Sequence, residues 1–254
     1  MDTPVDVEQR NGLQIITINR PDHRNAINTA TATAIAGALD ELDRRDDLVA
    51  GVITGAGTSF CAGMDLKAFL AGERPSVEGR GFAGITERAS EKPLIAAVEG
   101  HALAGGFEIV LACDLIVAST TAVFGLPEVK RGLLAGGGGL LRLPLRVPHQ
   151  LAVQWCLTGE FVSADQAYRA NLLNRLVPEG TALDEAIDLA NIIAQNGPMA
   201  VRATKQIIEQ SRDWTNSDQF QRMREIYEPV RSSADAKEGA LAFKEKRKPV
   251  WQGR

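Results

Sequence analysis

Short apolar runs rich in β-branched residues alternate along this chain with segments whose apolar residues recur every three or four positions. The run Leu13-Gln14-Ile15-Ile16-Thr17-Ile18-Asn19 ends at Arg20-Pro21-Asp22, which predicts a strand and then a turn as the first element. Asn28 is placed to cap a helix over about Thr29 to Asp43, with Ile35, Ala38, Leu39 and Leu42 on one face. Charged Asp43-Arg44-Arg45-Asp46-Asp47 then gives an exposed turn. Val49-Ala50-Gly51-Val52-Ile53-Thr54 reads as a short buried strand closed by Gly55-Ala56-Gly57. From about Gly72 to Gly84 neither period holds, and this polar, Gly-rich stretch is expected to be a mobile loop or frayed helix lining a pocket.

Alternation resumes with the strand Leu94-Ile95-Ala96-Ala97-Val98. The stretch Ala104-Gly105-Gly106-Phe107-Glu108 opens a helix predicted to run to Cys113. Strands follow at Leu115-Ile116-Val117-Ala118 and Ala122-Val123-Phe124, then a turn at Gly125-Leu126-Pro127-Glu128. A glycine-rich loop from Gly132 to Gly139 leads into Leu140-Leu141-Arg142-Leu143-Pro144. Beyond Leu183 only the helical period remains, at about 183–195, 199–212, 217–230 and 235–246. Asn196-Gly197-Pro198, a helix stop followed by a proline start, divides an alternating α/β core at 1–196 from a helical layer at 197–254. No repeat of fixed period is visible, yet the crossings Ile53 to Leu66 and Val98 to Val110 share one order of strand, turn and helix.

Composition narrows the classes. With 254 residues, 44% of them hydrophobic, the chain can build a substantial core. A net charge of −4 argues against nucleic acid or an anionic membrane as the main partner. Cys61, Cys113 and Cys156 show neither CxxC spacing nor a histidine cluster, so a disulfide framework and a metal site are not expected, and a cytoplasmic location is. Acidic residues in Met1-Asp2-Thr3-Pro4-Val5-Asp6, and the lack of a run of about eighteen apolar residues, point away from export and membrane insertion. His23, His101 and His149 are scattered, and no serine stands in a nucleophile-elbow context. Gly136-Gly137-Gly138-Gly139 lacks the Lys-Ser/Thr of a phosphate-binding loop and reads as a pocket wall that needs close backbone approach.

The chemistry concentrates at the two crossings. Gly105 and Gly106 at a strand-to-helix turn leave backbone N–H groups open to a ligand, and a helix start favours a developing anion. The other crossing also ends in small residues before a helix, so two donors can converge on one oxygen. Glu108, one helical step on in apolar surroundings, is suited to proton transfer; as a bare residue it would only favour the helix dipole.

Ser59-Phe60-Cys61-Ala62-Gly63-Met64-Asp65-Leu66 followed by Ala97-Val98-Glu99-Gly100-His101-Ala102-Leu103-Ala104-Gly105-Gly106-Phe107-Glu108 resembles the enoyl-CoA hydratase/isomerase (crotonase) family. The likeness extends upstream to Asn19-Arg20-Pro21 and Asn25-Ala26, and downstream to Phe124-Gly125-Leu126-Pro127-Glu128. It closes with Lys237-Glu238-Gly239 and Phe243-Lys244-Glu245-Lys246-Arg247, so five motifs in order span nearly the whole chain. The resemblance implies an α/β fold, a crotonase-like spiral of repeated ββα units with a C-terminal helical trimerisation layer. It implies an oxyanion hole from the backbone N–H groups of Met64 and Gly105, and catalytic carboxylates at Glu108 and Glu128. Family isomerases commonly keep only the second glutamate, so the pair favours an enoyl-CoA hydratase over an isomerase, a carnitinyl-CoA dehydratase or a C–C hydrolase remaining alternatives.

By the same resemblance the acyl-CoA substrate carries its own coenzyme A, no separate cofactor being needed, and touches Arg24, Ala26, Ala62, Asp65 and Leu66. Asp65 has a second reading, as a cap of the helix that follows. Phe243 and Lys246 match positions that reach the coenzyme of a neighbouring subunit, which implies a homotrimer or a dimer of trimers. A non-catalytic, RNA-binding relative is disfavoured by the acidic balance and the absence of a basic tail. Two departures adjoin the expected site. Leu134-Ala135 and Leu140-Leu141 stand where many family hydratases have Pro-Gly and Thr-Gln, and Asp22 where some carry a basic residue.

Overall fold

A computed structural model describes residues 3–88 and 90–254; Met1 and Asp2 of the acidic N-terminal stretch lie outside the described residues. The first element is a strand, β1 (Val5–Arg10), antiparallel to β2 (Leu13–Ile18), so the run from Leu13 is the second element and not the first. β1 is easily missed because only Val5 is buried and the other five residues, Val7 included, are exposed at the sheet edge. Its signal was Asn11-Gly12, both in the left-handed region that a tight two-residue hairpin requires.

Asn28 caps α1 (Thr29–Arg44) by accepting from the Thr31 N–H, and β3 (Ala50–Gly55) follows. A single turn, α2 (Leu66–Leu70), precedes the Gly-rich stretch, which is neither unstructured loop nor frayed helix. It forms a hairpin of β4 (Ser76–Val77) and β5 (Gly81–Phe82), held by Arg80, which is 3% exposed and bonds to Asp40 and the Arg88 carbonyl. Next come β6 (Leu94–Val98), β7 (His101–Leu103), α3 (Gly105–Ala112), β8 (Leu115–Ser119) and β9 (Val123–Gly125). A 3-10 turn at Pro127–Arg131 leads through the glycine loop to α4 (Gly139–Arg146) and α5 (His149–Thr158). Sequence periodicity left the next segment unassigned: β10 (Val162–Ser163), α6 (Ala164–Arg169) and β11 (Arg175–Val177) are too short to carry a period. The C-terminal helices are α7 (Ala182–Ala194), α8 (Pro198–Gln210), α9 (Gln219–Arg231) and α10 (Ala234–Glu245).

The main sheet has the order β1-β2-β3-β6-β8-β11, parallel except for the β1/β2 hairpin. Its strands read as continuous apolar runs because both faces are covered. Ile16, Ile53, Ala96 and Ile116 face α1 and α3 in the larger core, while Ile15, Val52, Ile95 and Val117 face Ala182, Ala186 and Ala190 of α7. In a separate, smaller sheet, β10-β9-β7, β7 runs parallel to β9 with Leu103 opposite Gly125. Among the described residues no helix is long and apolar enough to cross a membrane.

Candidate active site

The small sheet aims three chain segments at one place. β7 and β9 end side by side, so Gly105 follows Leu103 on one strand while Pro127-Glu128 follows Gly125 on its neighbour. On the other side of β7 the segment Phe60-Cys61 adds as a further parallel stretch: the Cys61 N–H donates to the His101 carbonyl and the Leu103 N–H to the Cys61 carbonyl. Met64 therefore emerges beside Gly105. All three segments leave at strand carboxyl ends, where open parallel sheets place their ligands.

Met64 and Gly105 both line a cleft of about 860 Å³, and among the described residues neither backbone N–H has an acceptor. The closeness of the two turns depends on Gly63, with φ at +96°: a Cβ there would come within 3.1 Å of the Gly105 nitrogen and 3.0 Å of the Ala104 Cβ. Ala104, just before α3, adopts φ 51° and ψ −127°, a strained conformation for a residue with a side chain, costing about 1–3 kcal/mol. Such a turn bares the first N–H groups of α3 to the cleft. Two unpaired donors beside a helix start make a ready site for a carbonyl oxygen that gains charge.

Glu108 and Glu128 line the same cleft. Glu108 lies in the first turn of α3, only 4% exposed, and its Oε1 accepts a 2.9 Å hydrogen bond from the Gly139 N–H. Gly137 approaches so closely that a Cβ there would lie 2.7 Å from Glu108 Oε2. The glycine loop is thus a wall, as expected, built first against this carboxylate. Burial raises the Glu108 pKa above the ordinary value, opposed by the N–H groups of Gly139 and Gly137 and by Arg142. Burial also raises that of Glu128, with the charge of Glu108 adding to it, while its own backbone N–H and Arg131 oppose the rise. Glu128 Oε2 is buried without a hydrogen-bond partner among the described residues. Two carboxyls that feel each other and resist ionisation suit a shared proton transfer.

The remaining cleft residues sit on a short ladder. Residues 24–27 run beside 62–65, with the Ala62 N–H donating to the Arg24 carbonyl, the Ile27 N–H to Gly63 and the Asp65 N–H to Ile27. Arg24, Ala26, Ala62, Asp65 and Leu66 all line the cleft in consequence. The Asp65 carboxylate accepts from the N–H groups of Lys67 and Ala68, capping α2, and pairs with Arg20 at 2.9 Å, so its cap role is realised. Arg20 also donates to the Ala26 carbonyl and so ties the two rails of the ladder together, a role that no local sequence signal gives away. Of the apolar walls, Leu134 adjoins the site expected from the sequence and Phe82 lies in the stretch expected to line a pocket, whereas Leu133 and Phe161 carry no individual signal. Phe243 and Lys246 are not brought to the cleft of their own chain: Phe243 is 89% exposed on α10, and Lys246 ends that helix in a left-handed conformation.

Residues 8–254 match the family model described as enoyl-CoA hydratase/isomerase. The chain belongs to the enoyl-CoA hydratase/isomerase family. Among solved structures it is similar to an enoyl-CoA hydratase of Mycobacterium marinum, at 56% identity and a TM-score of 0.98, with all of both chains covered. The carnitinyl-CoA hydratase structure of Mycobacterium avium matches at 43% identity and a TM-score of 0.80, again over both whole chains. Among curated relatives an enoyl-CoA hydratase of Mycobacterium tuberculosis is 40% identical, over 98% of this chain and 96% of the relative. A carnitinyl-CoA dehydratase of Salmonella arizonae is 42% identical, over 96% and 97%. The crotonase fold implied by the sequence motifs is therefore the fold of this chain.

Proposed function

We propose that this chain is an enoyl-CoA hydratase, adding water across the 2,3-double bond of an enoyl-CoA thioester. The observation that carries the reading is the convergence of four groups on one cleft: the unpaired N–H groups of Met64 and Gly105, the buried carboxyl of Glu108 and the half-buried Glu128, whose Oε2 is buried. The thioester oxygen accepts from both N–H groups. Water oxygen bonds to C3 as the π electrons move through C2 onto that oxygen, giving an enolate. Glu108 orients the water, and Glu128 takes its proton and returns a proton to C2. Each oxyanion donor contributes roughly 3 kcal/mol to the transition state, and positioned acid/base groups add about 100- to 10,000-fold.

Phe82, Leu133, Leu134 and Phe161 supply apolar surface suited to an acyl chain, and Arg24 a cation suited to the coenzyme phosphates. The coenzyme arrives with the substrate, so no further cofactor enters the reaction. The helical layer at 197–254 serves assembly into a homotrimer or dimer of trimers, presenting Phe243 and Lys246 to a neighbour, and the enzyme works in the cytoplasm.

A second reading is favoured by one observation, the 40–42% identity to carnitinyl-CoA dehydratases as well as to a hydratase. Dehydration is the same proton traffic reversed, so the same four groups serve both. Crotonyl-CoA hydration by wild type, Glu108→Gln and Glu128→Gln tests the mechanism: each variant is expected to lose at least a hundredfold in kcat, and full activity in both would sink it. Relative kcat/KM for crotonyl-CoA and carnitinyl-CoA then separates the two substrates.

A further inference from the structure

A second cavity, of about 610 Å³, opens between α4, α8 and residues 87–88 and 90–91. Its lining is unlike that of the first. Six cationic side chains, Arg88, Arg142, Arg146, Arg202, Lys205 and Arg212, face it with three carboxylates, Glu87, Glu91 and Glu209, and no aromatic residue. Three of the cations have carboxylate partners: Lys205 binds Asp114 at 2.7 Å, Arg202 binds Glu91 at 2.9 Å, and Arg88 lies 3.7 Å from Asp40. Arg142, Arg146 and Arg212 have none within 4 Å among the described residues. Arg142 and Arg146 sit one helical turn apart on α4 and are half-buried. Their known acceptors are neutral carbonyls, Thr86 and Gly137 for Arg142 and Cys113 at 2.6 Å for Arg146. Each guanidinium has five N–H donors, so several stay open to the cavity.

These are charges in a costly position. Desolvation opposes the half-buried guanidinium groups of Arg142 and Arg146. The carboxylates that act on these arginines, Glu108 and Glu209 on Arg142, Asp114 on Arg146 and Glu209 on Arg212, do so from beyond ion-pair distance. Six cations against three carboxylates thus leave the lining with a cationic surplus. We propose that this cavity is a second anion site, which binds a small phosphate, either inorganic phosphate or a phosphate monoester. The planar guanidinium fork matches phosphate oxygens in pairs, and a dianion offsets more of the surplus than a carboxylate does. A volume of this size takes a phosphate with a short polar substituent. Ala112 is the one aliphatic residue of the lining, so an adenine ring or an acyl chain finds little apolar surface here, which separates the site from the acyl-CoA cleft. Arg142 links the two sites: it holds the Gly137 carbonyl of the loop whose Gly139 N–H binds Glu108.

Titration calorimetry of the full-length assembly, at 0.15 M sodium chloride and with the cleft filled by coenzyme A, tests the site. Inorganic phosphate and glycerol phosphate are the two probes, and the tighter of them identifies the source. Saturable binding is expected, weakened roughly tenfold by Arg146→Gln and again by Arg212→Gln. Should Arg146→Gln fail to fold for loss of its Cys113 bond, Arg212→Gln carries the test, since that exposed side chain makes no hydrogen bond among the described residues. No saturable heat with either probe, or equal affinity in Arg212→Gln, overturns the proposal. So does loss of assembly in these variants without any phosphate binding in the wild type, which would make the cavity a seat for a second copy's carboxylates.

Discussion

Gly139 and Glu108 lie 31 residues apart in the chain, and the backbone N–H of the first donates a 2.9 Å hydrogen bond to Oε1 of the second. The bond fixes the carboxyl through backbone, without spending a polar side chain in the cleft. Gly137 completes the seat from the other side, since nothing larger fits against Oε2.

Gly137→Ala is accordingly expected to act on catalysis more than on binding. Its Cβ would lie 2.7 Å from Glu108 Oε2 and 3.0 Å from Cδ, so the carboxyl must move. A displacement near 1 Å in a catalytic group costs about 100-fold. Steady-state kinetics on crotonyl-CoA should show kcat falling by that order with KM nearly constant. A variant that changed only KM would contradict the assigned seat.

Glu108 also makes a stability prediction. Because burial raises its pKa above the ordinary value of 4.5, the folded state holds this proton more tightly than the unfolded chain does. Stability is then lost as pH rises from about 4.5 through the folded pKa. Glu108→Gln removes that loss, so its melting temperature should gain on that of wild type as pH increases from 4 to 8. A constant difference across the range would show that burial does not perturb this carboxyl.

The Arg20–Asp65 pair, with side chains 14% and 11% exposed, calls for a different variant. Asp65→Ala removes both the cap of α2 and the partner of a nearly buried guanidinium, for an expected loss of about 2–4 kcal/mol. Asp65→Asn keeps the cap and should lose less. Although burial opposes it, the Ala68 N–H, Arg20 and the Lys67 N–H hold the Asp65 carboxyl below its ordinary 3.8. Its contribution is present above that pH and is lost as pH falls through the lower folded value. Urea unfolding at pH 7 and near pH 3 should show the Asp65→Asn difference shrinking in acid.

Assembly has its own probe. Phe243, 89% exposed on α10, is proposed to lie against a neighbouring subunit. Phe243→Glu places a charge in that contact, so analytical ultracentrifugation should find smaller species than in wild type. An unchanged sedimentation profile would remove Phe243 from the interface.

What the amino-acid order determined by itself was whatever acts over a few residues. Asn28 announced the start of α1, Asn196-Gly197-Pro198 the break before α8, and the continuous apolar runs the sheet buried on both faces. Gly105 and Glu108 were legible as chemistry because a helix start and glycine turn expose donors locally, while Met64 and Glu128 were assigned by the family resemblance of their motifs. β1 escaped because an edge strand has only one residue to bury, and the β4/β5 hairpin because Arg80 holds it through Asp40, a residue on another element. Tertiary structure alone decided that β7, β9 and the Cys61 segment run side by side, which turns four separated residues into one site. It alone decided that Arg20 clamps Ala26 to Asp65 and that the glycine loop seats Glu108. Strand register and long-range hydrogen bonds depend on which surfaces meet once the core has closed, and no window of neighbouring residues contains that information.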